Sequence, residues 1–133
     1  MRTVYPALIK EFDEQGEHGF VVRVPDVPGC ITTGRTLQEA FEMINDALPL
    51  VLCGMEEEDL PINPPSAPKD IAEEGSTVIL VEVDTIEYRK ETDTKAVRKN
   101  VSLPSWMAYL ADKRGLNCSQ LLQDALRREL GIQ

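Results

Sequence analysis

One histidine, His18, in 133 residues leaves this chain unable to build an HExxH helix, a histidine-rich zinc site or a two-histidine acid–base pair. The cysteines Cys30, Cys53 and Cys118 are odd in number and far apart, and fit neither a disulfide framework nor a CxxC metal or redox pair. No apolar run approaches the roughly 18 residues that a bilayer-spanning helix needs. Met1-Arg2-Thr3-Val4-Tyr5-Pro6 enters a strand-like pattern without the apolar core or small-residue cleavage site of a signal peptide. These absences predict a soluble, cytoplasmic protein, one ordinary domain or two small ones, with much of the catalytic repertoire missing. At 42% hydrophobic and 28% charged, the chain can still fold.

What is present is divided. Residues 1–90 carry a net charge of −11 and residues 91–133 one of +2, together the −9 of the whole chain. In the acidic part, Thr3 to Phe12 alternates, with Val4, Pro6 and Leu8 on one side and Tyr5, Ala7 and Ile9 on the other. Pro6 lacks a ladder donor, so this strand, or that end of it, belongs at a sheet edge. A polar loop of several residues, Asp13 to Glu17, leads to a second strand, His18 to Val24. Pro25-Asp26-Val27-Pro28-Gly29 turns the chain into a short third strand, Cys30 to Thr33.

Thr36-Leu37-Gln38-Glu39 is a capping box and opens a helix. Its apolar stripe is Leu37, Ala40, Phe41, Ile44, Ala47, Leu48, Val51 and Leu52. Pro49 cannot bond the Asn45 carbonyl and predicts a kink or a break, with Gly54 near the end. Leu60 to Pro68, with Pro61, Pro64, Pro65 and Pro68, predicts an extended loop. The β-branched run Thr77 to Val83 predicts a central strand, giving βββαβ. The helix would then cross over between strands three and four, right-handed if those strands are parallel neighbours. Tyr88 to Thr94 suits a linker.

The tail has its own order. Val97, Val101 and Leu103 fall on one side of a short strand, and Arg98, Asn100 and Ser102 on the other, with Lys99 the awkward residue on the apolar side. Pro104 starts a helix to about Arg114 that buries Met107, Leu110 and Ala111 and closes at Gly115. Asn117 caps a second helix to about Leu130, with Leu121, Leu122, Ala125, Leu126 and Leu130 inside and Gly131 as the stop. Some forty residues with one strand cannot bury a core, and a lone strand leaves its backbone unpaired. Two copies solve both problems: an antiparallel ribbon over four helices carries Arg98, Asn100 and Ser102 twice. Such a ribbon fits the DNA major groove, where arginine donates twice to guanine and asparagine both donates and accepts at adenine. The amides of Asn117, Cys118 and Ser119, at a helix start, suit a phosphate.

Val97-Arg98-Lys99-Asn100-Val101-Ser102-Leu103-Pro104 with Gly115-Leu116-Asn117-Cys118-Ser119-Gln120-Leu121-Leu122 resembles the ribbon-helix-helix repressors of bacteria. The hairpin, Val24-Pro25-Asp26-Val27-Pro28-Gly29-Cys30-Ile31-Thr32-Thr33-Gly34 and the Thr36-Leu37-Gln38-Glu39-Ala40 helix start are similar to the HicB antitoxins. The resemblance implies an α+β chain: a partial, degenerate RNase H-like domain (1–90) before a ribbon-helix-helix dimerisation domain (91–133). It implies an antitoxin of a type II toxin-antitoxin system, without cofactor or catalytic turnover, that blocks a HicA-like mRNA interferase and represses its own operon as a homodimer. An acidic body agrees with a basic, RNA-binding partner. Pro49 and the proline-rich insertion depart from the expected pattern and leave the toxin-contacting residues unassigned.

Two other classes stay open. A ribbon-helix-helix regulator could carry a ligand-sensing first domain. A metal-dependent nuclease would need carboxylates converging on divalent metal, and Asp13, Asp26, Glu39 and Asp46 are the acids near the sheet. Glu56-Glu57-Glu58-Asp59 is either a solvated run or a grip on a basic partner. His18 reads as a surface histidine and Trp106 as a packing residue.

Overall fold

A computed structural model describes residues 2–133 and divides the chain at Lys95/Ala96 into two compact units. In the first, the alternating segments form β1 (Arg2–Glu14) and β2 (Glu17–Arg23), paired antiparallel from Leu8↔Arg23 to Glu14↔Glu17. Gln15 and Gly16, at φ 53° and 81°, make a two-residue turn. The strands therefore run up to the turn, which is tighter than the expected loop. β3 (Ile31–Gly34) pairs antiparallel with β2.

Thr36 accepts the Glu39 amide at 3.1 Å and starts α1 (Leu37–Glu57). The helix runs through Pro49 without the expected break. A proline in a helix interior costs about 3 kcal/mol. Ala40, Ile44, Leu48 and Leu52 are buried on one face against Tyr5, Ala7, Val22 and Val81. Each large side chain buried there contributes about 1.5–3 kcal/mol. Two of them match the cost of Pro49, so tertiary packing overrides the local preference.

After α1, the proline-rich segment is irregular apart from the single turn α2 (Pro68–Ile71). It is pinned to the sheet domain. The Tyr5 hydroxyl donates to the Asn63 carbonyl at 2.7 Å, Asn63 Nδ2 donates to the Asp26 carbonyl at 2.9 Å, and the Ser66 amide donates to Asp26 Oδ2 at 2.7 Å.

β4 (Thr77–Asp84) pairs antiparallel with β1, from Arg2↔Asp84 to Ile9↔Thr77, and the sheet order is β3-β2-β1-β4. This corrects two expectations. β4 is an edge strand, not a central one, and β3 and β4 stand at opposite edges of an antiparallel sheet. α1 is thus no crossover between parallel neighbours; it lies across one face. An apolar run reports burial of side chains and not the number of hydrogen-bonded neighbours. Val81 and Val83 are buried beneath the helix, while Leu80 on the other face is 58% exposed. β1 is central, yet its β2 ladder begins only at Leu8. Pro6 therefore sits where the strand is open on that side, as its missing donor requires.

The expected linker is a helix. In α3 (Thr85–Thr92), Asp84 accepts the amides of Ile86 and Glu87 at 3.0 and 3.2 Å. The Glu87 amide above all holds the Asp84 carboxyl below the usual carboxylate range. Arg89 fastens α3 to the end of α1, donating to Glu57 at 3.1 Å and to the Cys53 carbonyl at 3.2 Å.

The second unit contains α4 (Ser105–Lys113) and α5 (Cys118–Leu130). Gly115 and Gly131 both take positive φ, 62° and 68°, where the sequence places the two stops. Asn117 Oδ1 accepts the Gln120 amide at 3.0 Å, the expected N-cap. Residues 97–103, expected as a short strand, take no regular secondary structure and pair with no described strand.

Candidate nucleic-acid interface

No described residue between Ala96 and Gln133 is buried. Val101, Leu103, Met107, Leu110, Leu121, Leu126 and Leu130 remain between 42% and 67% exposed on elements whose pattern calls for a core. The extended segment before α4 lies along a groove of about 410 Å³ between the two helices. Its lining includes Lys99, Val101 and Leu103 from the segment, Met107 and Ala111 from α4, and Leu121 and Leu122 from α5.

The alternation read from the sequence is met at Val101 and Leu103, while Val97, expected on the same side, is 88% exposed and does not line the groove. Lys99, Val101 and Leu103 face the helices, and in an extended chain the residues between them project the other way. Arg98, Asn100 and Ser102 alternate with these lining residues, are all exposed, and are absent from the groove's lining. Lys99 lines the groove and is exposed, a position that a side chain with an apolar stem and a charged tip tolerates.

At the helix start the side chains are engaged elsewhere. Asn117 spends its side chain on the cap, while Cys118 and Ser119 line the groove beside Leu121. Only their backbone amides, unused by the helix ladder, offer donors to an anion. Leu116 also lines the groove. Sequence reading passed over it because it precedes the cap and belongs to neither helical stripe.

The acids of the first unit do not assemble a metal centre. Among the described residues, no group of three or more His, Cys, Asp or Glu side chains could hold a metal ion. Asp26 takes the Ser66 amide and hydroxyl, and Glu39 sits in the capped first turn of α1. His18 lies 3.1 Å from Glu11 and edge-on to Phe20 on the sheet surface. Burial pushes the Cys30 and Cys53 thiols up from their ordinary range, which disfavours the reactive thiolate. Glu56 and Glu57 are held by Arg89, so half of the acidic run is engaged within the fold. No described helix is long and apolar enough to cross a membrane.

The family described as HicB-like antitoxin of bacterial toxin-antitoxin system matches residues 5–123. Over 120 residues the chain is 32% identical to an uncharacterized 14.9 kDa protein from the rep-hol intergenic region of Haemophilus phage HP1, covering 83% of this chain and 80% of that one. It is similar to a chain of a toxin-antitoxin complex from Streptococcus pneumoniae, at 27% identity and a TM-score of 0.57, covering 97% of this chain and 99% of that one. A chain of the HicA3 and HicB3 toxin-antitoxin complex is 25% identical with a TM-score of 0.51, covering 62% of this chain and 99% of that one.

Proposed function

Because the chain belongs to the HicB-like antitoxin family of bacterial toxin-antitoxin systems, we propose that it divides two tasks between its units. The acidic unit binds and neutralises a HicA-like mRNA interferase. The tail, as a homodimer of ribbon-helix-helix form, binds operator DNA and represses the operon that encodes the pair.

One observation carries the second half of this reading: a tail of two helices and one irregular segment in which no residue is buried. Below about 40 residues a chain rarely sustains a core without outside help. A second copy supplies that help by pairing residues 97–103 into a ribbon and closing the apolar groove. The same step sets Arg98, Asn100 and Ser102 of both copies on one outer surface, a geometry suited to the major groove. Arg98 and Asn100 would read base edges, Ser102 would assist, and the amides at Asn117, Cys118 and Ser119 would hold phosphate.

The charge division supports the first half. A toxin that binds RNA must be basic where it meets phosphate, and an acidic antitoxin meets it with complementary potential. The test is co-expression of the full chain with its toxin. Growth should be restored and the two proteins should co-purify. Toxicity undiminished at equal expression would refute neutralisation, and failure of the complex to shift operator DNA would refute repression.

A further inference from the structure

β4 closes one side of the sheet, and among the described residues no further strand pairs with its outer edge. Natural edges are blunted by a lysine, a proline, a bulge or a cover. Here Thr77-Val78-Ile79-Leu80-Val81 carries neither charge nor proline. The opposite edge is managed. β3 is only four residues long, and the first turn of α1 presses so close to Gly34 that an added Cβ would stand 2.3 Å from the Ala40 nitrogen.

Beside β4 lies an apolar hollow of about 350 Å³ lined by Ile9, Leu37, Gln38, Phe41 and Ile79. Leu37 and Phe41 are 58% and 48% exposed there, although they belong to the same apolar stripe as the buried Ala40 and Ile44. An open ladder with a pocket alongside is the arrangement by which a sheet captures an extended partner strand. Backbone hydrogen bonds supply affinity, and the pocket accepts an alternate side chain.

We propose that the β4 edge with its Leu37–Phe41 pocket is the surface on which the acidic unit takes up an extended segment of its basic toxin. The inference deepens the antitoxin reading and rests on it. Charge selects the occupant. Residues 1–90 carry −11, so a second copy brought edge to edge would repel, whereas a basic segment is attracted. Glu42, the residue after Phe41 on α1, is an exposed acid beside the pocket, whereas Glu82 on β4 is paired with Arg2 at 2.7 Å.

The experiment measures toxin affinity by calorimetry for the full-length chain and for Phe41→Lys, Leu37→Lys and Leu80→Lys, with light scattering of each chain alone. All three positions are exposed, so melting temperatures should stay close to the parent's. The expected result is a loss of at least about 30-fold in affinity for Phe41→Lys and Leu37→Lys, the signature of an anchoring residue, with unchanged mass and operator binding. Parent-like affinity in the variants, when the parent binds, overturns this surface and leaves the antitoxin reading standing. A parent that does not bind the toxin overturns both. A parent mass that halves in the variants without toxin would assign the edge to a second copy and overturn the proposal.

Discussion

Replacing Arg98 by alanine tests the ribbon surface most sharply, because the proposed geometry presents the residue twice. Arg98 is exposed and does not line the apolar groove, so truncation should leave the packing of Lys99, Val101 and Leu103 untouched. A bidentate arginine contact to guanine contributes about 1–3 kcal/mol of discrimination. Two copies per dimer make the expected loss about 2–6 kcal/mol, or roughly 30-fold to 10⁴-fold in the dissociation constant. The assay is a gel shift of the full-length chain on operator DNA and on scrambled DNA at one fixed salt concentration. Operator affinity should fall by that factor while scrambled DNA loses much less, and toxin neutralisation should be unchanged. Equal loss on both DNAs with a shallower salt dependence would make Arg98 a phosphate contact and refute base readout. Unchanged affinity would remove the ribbon face from the DNA interface altogether.

Two further outcomes concern the first unit. Leu48→Ala removes a side chain with no exposed surface from the centre of the α1 stripe, and thermal or urea unfolding should show a loss of about 2–5 kcal/mol. A loss below 1 kcal/mol would contradict the packing that carries the helix through Pro49. Asp84 is a carboxylate whose folded pKa is lowered, first by the Glu87 amide. Its cap therefore contributes above the unfolded aspartate value of about 3.9 and is lost as pH falls through the folded value. Replacing Asp84 by asparagine should flatten the acid limb of the stability profile, and an unchanged limb would contradict the cap's titration.

Local signals in the sequence were reliable where one residue type has one physical use. Thr36, Asn117, Gly115 and Gly131 each stand at the helix start or stop that their chemistry predicts. Val101 and Leu103 line the groove as their spacing predicts, whereas Val97 at the start of the same segment stays exposed. What was illegible depends on contacts distant in sequence. The edge position of β4 follows from pairing with β1, from Ile9↔Thr77 to Arg2↔Asp84, and the run Thr77 to Val83 contains no trace of it. α3 was hidden because Tyr88 to Thr94 has no apolar stripe. Its hold on the fold is polar, through Arg89 to Glu57 and the Cys53 carbonyl. The break that Pro49 allowed does not occur for the same reason, since the burial that offsets it comes from the sheet beneath.

The dependence of the tail on a second copy is tested most directly by hydrogen exchange on the full-length chain, joined to sedimentation over a dilution series. A dimer at micromolar concentration is expected, with amides between Val97 and Leu103 protected and that protection lost as the dimer dissociates. A monomer whose residues 97–133 stay ordered and protected at every dilution would contradict it.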